Sequence, residues 1–284
     1  MAFGLPASSG DEGPSYGSYL QLRDLLGLQT LTSDPPEHDE LLFIVVHQVY
    51  ELWFKQLLHE LDGVVEWMDR DDPLAAQRLL RRCIEIQRVL TAQIKILETM
   101  TPNDFLRFRD RLRPASGFQS SQFRSIEALS GLRDGARIAD QDEGSAEQTE
   151  LRRRYREPSV SERFYALLGR RGFRLPGLDP ARETSRAPED RATAMRELVR
   201  LYEEPRASYD LYLLAEALIE FDEMFMLWRL HHVEMVERMI GSKPGTGGSE
   251  GVGYLRRTLS RKLFPALWEL RGWLGAPEEE QHRP

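Results

Sequence analysis

The chain has 284 residues, 41% of them hydrophobic and 9% aromatic, which is enough apolar matter for a folded core and excludes a disordered chain. Lys and Arg number 38 against 46 Asp and Glu, and the net charge of −8 argues against general affinity for nucleic acid or an anionic membrane. A single cysteine, Cys83, excludes an internal disulfide framework and any cysteine-held zinc or iron–sulfur site, so metal chemistry has to use the six histidines and the carboxylates. The longest wholly apolar run, Leu41 to Val46, falls far short of the roughly 20 residues of a membrane helix. The opening residues, MAFGLPASSGDEGPS, lack the basic start and apolar stretch of a signal peptide. The expectation is a cytoplasmic protein with no membrane and no nucleic-acid partner.

The elements read as helices in chain order. The first long one opens after Pro35 and Pro36, with Glu37, Asp39 and Glu40 in its first turn, where acids suit the helix dipole, and runs to Met68. A second covers about Pro73 to Met100, with Leu, Arg, Gln and Ile at helical spacing. Pro102 to Leu112 is a shorter helix with proline at its start, and Pro114 to Glu127 is a turn followed by another helix. From Gly131 to Pro205 the composition becomes charged and polar, with short helices at Glu147–Arg156, Ser159–Arg171 and Pro188–Tyr202. That stretch (131–205) has too few apolar residues for its own core and reads as a surface elaboration of loops and helices. The last long helix spans about Ser208 to Ile240, with Ser208 as N-cap and Gly241 and Pro244 as its stop. A glycine-rich loop, GTGGSEG, then leads to a terminal helix from about Tyr254 to Trp273. Strand-like alternation and internal repeats are missing, so the expected fold is all-α, a helical bundle-type single domain over residues 1–284.

Two histidines fall on apolar faces. On the last long helix Leu211, Leu214, Leu218, Phe221, Phe225, Trp228, Met235 and Met239 recur in alternating steps of three and four, and His232 completes that stripe. His231 is rotated about 100° away, to the stripe's edge. A buried imidazole must be hydrogen-bonded or ligated, so His232 is either a satisfied core histidine or a metal or haem ligand. His47 repeats the pattern on the first helix, with Phe43 four residues earlier on its face, while His38 and His59 turn away. No HExxH motif exists, and His232/Glu234 or His38/Glu40 lie about 200° apart around a helix, so neither pair shares one ion. Haem needs one axial histidine and an apolar slot, which favours haem over a non-haem site. Arg109 follows Phe105 by four residues, a face that can clamp an aromatic amino acid by its ring and carboxylate. The glycine loop fits neither a phosphate loop nor a dinucleotide fingerprint; it is a linker, or a flap whose Thr246 hydroxyl closes on a polar group.

Four segments carry a resemblance: SYGSYLQLRDLL, HDELLFIVVHQVYELWFKQLLHEL, ILETMTPNDFLRFRDRLRPASGFQSSQFRSIE and LWRLHHVEMVERMIGSKPGTGGSEGVGYLRRTL. In order and content they resemble the tryptophan 2,3-dioxygenase family over about half the chain. The resemblance implies a homotetramer with one haem b per subunit, active as Fe2+ in a pocket between the long helices. It implies that L-tryptophan and O2 become N-formylkynurenine by cleavage of the indole C2–C3 bond. His232 matches the axial iron ligand, His47 the catalytic distal histidine near the indole nitrogen, and Phe43 the aromatic beside it. Arg109 matches the residue for the substrate carboxylate, Thr246 the flap threonine, and Phe105 and Ser116 further pocket positions. Tyr16, Tyr19 and Leu20 match N-terminal residues that reach a neighbouring subunit's active site. Glu250 departs from the pattern by standing where a second serine is expected. Two other readings stay open: an indole mono-oxygenase forming an oxindole from tryptophan or a methylated tryptophan, and a non-catalytic haem or indole sensor.

Overall fold

The computed structural model describes residues 13–178, 188–247 and 251–275. Its helices are α1 (Tyr16–Tyr19), α2 (Leu22–Leu25), α3 (His38–Asp69), α4 (Pro73–Leu97), α5 (Pro102–Arg109) and α6 (Ser121–Leu129). There follow α7 (Ala146–Arg156), α8 (Val160–Arg170), α9 (Pro188–Glu203), α10 (Tyr209–Ile240), α11 (Val252–Arg257) and α12 (Pro265–Glu269). The described residues contain no strand, and the fold is all-α.

Helix starts follow from local chemistry. Asp72 accepts from the Ala75 amide at 2.9 Å with Pro73 in the first turn, and Thr101 accepts from the Asp104 amide at 3.2 Å with Pro102 likewise placed. Ser159 and Glu162 form a capping box that opens α8. Ser208 stands at the N-cap of α10 as expected but makes no capping bond, and Gly241, at φ 57°, ends that helix.

The three long helices form the frame. α4 packs against both α3 and α10, joining Leu57, Leu61 and Val64, Leu80, Ile84 and Ile94, and Leu214, Leu218 and Phe221 in one buried cluster. Phe164, Leu167 and Leu168 of α8 and Met195 and Leu198 of α9 join the same cluster. The polar stretch 131–205 therefore contributes more to the core than its composition suggests, because most of its large apolar residues among the described ones, such as Leu151, Val160, Phe164 and Leu201, are buried. α3 is long and apolar enough by length and composition to cross a membrane, with mean hydropathy 1.2 over its most apolar stretch. It packs on α4, α5, α6 and α8 and buries Glu40 and Glu60, while only 22% of its most apolar stretch is buried and Leu41, Val45 and Leu52 stay exposed.

The expected terminal helix is broken into α11, a loop and α12. The loop amides that a continuous helix would use go instead to the buried Asp222 of α10: its Oδ2 accepts from the amides of Leu263 at 2.9 Å and Phe264 at 3.1 Å, and from Trp268 Nε1 at 2.8 Å. Pro265 then starts α12. Burial pushes the Asp222 pKa up, against the pull of these three donors. Asp222→Leu should strand three buried donors and cost about 3 kcal/mol or more. Asp222→Asn keeps an oxygen where all three bonds converge and should cost far less. Urea midpoints of the two variants check this, and equal losses would mean that the shared oxygen is not what holds the C-terminal segment.

Candidate active site

A cavity of about 290 Å³ lies between α3 and α10 and is lined also by α5, α6, α11 and Gly245, Thr246 and Gly251 of the glycine loop. Seven of the residues singled out in the sequence line it together: Phe43, His47, Phe105, Arg109, Ser116, His232 and Thr246. They come from far-apart stretches of chain, so the fold and not local spacing unites them. His231 does not line the cavity, as its place at the edge of the stripe requires. Tyr16 and Tyr19 are 76% and 74% exposed, and neither they nor Leu20 line this chain's own cavity. Glu250 lies outside the described residues.

His232 is ringed by protein, and its remaining free surface opens into the cavity. Burial lowers its pKa to about 4, with His47 adding to the effect, so the imidazole is neutral at pH 7 and carries an unshared lone pair. Trp228, one turn earlier, stacks on the ring at 5.3 Å and 13°. Neither ring nitrogen of His232 has a hydrogen-bond partner among the described residues. An unpartnered neutral imidazole in an aromatic cavity is the donor chemistry that a haem iron takes, so the residues fit that group. The described residues hold no cluster of three or more His, Cys, Asp and Glu that would suit a non-haem ion.

Across the cavity, His47 Nδ1 donates to the Phe43 carbonyl at 2.7 Å, because a carbonyl can only accept. Nε2 is then the unprotonated nitrogen. Burial lowers the His47 pKa, although the Phe43 carbonyl and the Glu51 carboxylate pull it up. The ring is bare toward the cavity yet surrounded by protein mass, and the latter governs its titration. Phe43 packs on it at 4.0 Å and on Phe105 at 5.7 Å, building one apolar wall.

Arg109, 5% exposed at the end of α5, donates through Nη2 to the Pro244 carbonyl. Thr246 returns the link by donating to the Ala115 carbonyl at 2.7 Å. Glycine permits this closure: a Cβ on Gly247 would meet Ser116 Cβ at 2.6 Å. The cavity also takes in Tyr50, Glu51, Phe54, Phe123, Arg124, Glu127 and Arg229, none of which the sequence reading had placed there. Tyr50, Glu51 and Phe54 follow His47 by three, four and seven residues, a helical signal that was available. The wall from α6 had no such signal.

An all-α bundle with an unpartnered imidazole, a second histidine and a buried arginine lining one aromatic cavity defines a helical protein with a site suited to a prosthetic group. The sequence pattern of tryptophan 2,3-dioxygenase matches residues 5–182 and 178–274. A protein of Nocardioides sp. (strain ATCC BAA-499 / JS614) named tryptophan 2,3-dioxygenase is 48% identical over 276 residues, covering 94% of this chain and 98% of its own. Proteins of that name from Myxococcus xanthus (strain DK1622) and Anaeromyxobacter sp. (strain K) are 41% and 44% identical, covering 95% and 92% of this chain and 92% and 96% of theirs. The chain belongs to the tryptophan 2,3-dioxygenase family. It is an enzyme, an oxidoreductase of a haem-dependent family, and the oxindole and sensor readings find no support in these relatives.

His232→Ala should lose haem or retain it only with added imidazole, whereas His231→Ala should keep a normal haem spectrum. Visible absorption of the purified variants checks this. The reverse pattern would overturn the placement of His232 on the cavity stripe.

Proposed function

We propose that the chain binds one haem b through His232 and uses O2 to open the indole ring of L-tryptophan between C2 and C3, giving N-formylkynurenine. The observation that carries this reading is the unpartnered His232 imidazole facing His47 and Arg109 across one cavity. When bound, the haem supplies a ferrous iron at which O2 is activated. Both oxygen atoms enter the substrate as one C–C bond breaks, so the net reaction consumes no external reductant.

The side chains orient and protect. His47 Nε2 accepts the indole N–H, and because that proton is a very weak acid the histidine holds it instead of removing it. Arg109 takes the substrate carboxylate in place of the neutral Pro244 carbonyl, an exchange favoured because a charged acceptor makes the stronger bond. Thr246 and Ser116 stand beside the same end of the substrate. Phe43 and Phe105 flank the ring and keep water from the reacting bond.

Assembly completes the site. Leu41, Val45 and Leu52 form an exposed apolar face on α3, and Tyr16, Tyr19 and Leu20 are exposed near the N-terminus. These surfaces support a homotetramer in which the N-terminal residues of one subunit reach a neighbour's cavity. The one shared core supports a single domain over residues 1–284, and the free, buried Cys83 thiol suits a cytoplasmic location.

Reduced enzyme given tryptophan and labelled O2 should place both labelled atoms in N-formylkynurenine. A single labelled atom in an oxindole would overturn the dioxygenase assignment, and no oxygen uptake would leave only binding. Arg109→Leu should raise KM for tryptophan by on the order of tenfold or more and flatten the preference for tryptophan over tryptamine. An unchanged preference would remove Arg109 from the substrate site.

A further inference from the structure

We infer that Arg124 is a carboxylate-binding residue of this cavity and holds a propionate of the haem, an inference that rests on the haem reading above. Arg124, on α6, is 6% exposed and lines the cavity. Its Nη1 donates to Glu127 Oε2 at 2.6 Å. Glu127 is shared, because its other oxygen accepts from Arg229 Nη2 at 2.9 Å. Arg229 spends its Nη1 on the Arg261 carbonyl at 3.1 Å, so both of its terminal nitrogens are used. Arg124 is left differently. Its Nε is buried without a partner, and its Nη2 makes no hydrogen bond among the described residues.

Nε is covered by the protein, and Nη2, on the same edge of the guanidinium, is the donor left for a carboxylate in the cavity. The guanidinium sits 5.5 Å from the Phe118 ring and 5.3 Å from the Phe123 ring, so packing fixes its plane. An anion in the cavity gives Nη2 a charged partner, and a charged acceptor makes the stronger bond. Arg133 and Arg163 also carry a buried, unpartnered Nε, but neither lines the cavity.

Two carboxylates could enter the cavity, that of the substrate and that of the haem. Position separates them. On the proposed function the substrate carboxylate takes Arg109, which is bonded to Pro244 beside the glycine loop. Arg124 is adjacent to Phe123, whose ring lies 5.2 Å from Trp228, and Trp228 stacks on His232. That sequence of contacts puts Arg124 on the side where a group held by His232 lies.

The test measures transfer of haem, and of haem dimethyl ester, from the reconstituted protein to apomyoglobin. The wild type should hold haem longer than the ester, and Arg124→Gln should reduce the haem-to-ester retention ratio on the order of tenfold. Arg124→Lys, which keeps the charge on a folded scaffold, should restore part of that ratio. A ratio unchanged in Arg124→Gln, or equal retention of haem and ester by the wild type, would overturn the inference. So would a loss in Arg124→Gln of tryptophan-over-tryptamine binding with the haem-to-ester ratio intact, since that would assign Arg124 to the substrate. If His232→Ala retains haem as well as the wild type does, the haem reading itself fails, and that result is distinct from every Arg124 outcome.

Discussion

The His232 imidazole faces the cavity without a hydrogen-bond partner among the described residues, and the long helices are arranged around it. α10 brings the ring into the bundle on the same stripe as Phe221 and Phe225, which are packed tightly enough to hold the helix in register. Trp228 stacks on the ring and limits its rotation without satisfying it. The protein packed around the ring keeps it neutral. A protein selected for stability alone would supply a carbonyl or a serine here, so the missing partner points to a ligand.

Buried carboxylates brace the rest of the site from outside. Asp222 ties the C-terminal segment to α10, and Glu127 ties α6 to the same helix through Arg229. Glu40 does the same for the N-terminal segment: burial pushes its pKa up, but the hydroxyls and amides of Ser33 and Thr32 outweigh that and hold it at about 2. Each carboxylate accepts more than one donor, which is the condition under which burying a charge is tolerable. Through Glu40 the stretch that leads back to Tyr16 and Tyr19 is anchored on α3, the helix that also carries His47.

The helical periodicity made the frame legible. Alternating steps of three and four placed His232 in the core and His231 off it, and the four-residue step from Phe105 to Arg109 put both on the cavity side. Helix starts were legible wherever a cap and a proline coincided, as at Asp72-Pro73 and Thr101-Pro102. What periodicity could not carry was long-range. The break after α11 depends on Asp222, more than forty residues upstream, taking amides that local propensity assigns to a helix. Arg124 carried no more local signal than its arginine neighbours, because its distinction is the shared Glu127 and the aromatic wall around it.

The helices and the loop divide the chemistry between them. His47, His232 and Arg124 sit on helices whose positions are set by the core, so what they bind must conform to them. Thr246 and Pro244 sit on a loop held to the cavity rim by two hydrogen bonds, one from Arg109 and one to Ala115. On the function proposed above, a substrate carboxylate replaces the Pro244 carbonyl at Arg109, while Thr246 stays tied to the Ala115 carbonyl. On the same reading an amine without a carboxylate makes no such exchange and leaves Arg109 bonded to Pro244. On the function proposed above, selectivity for an amino acid therefore belongs to the loop, and placement over the reacting centre belongs to the helices.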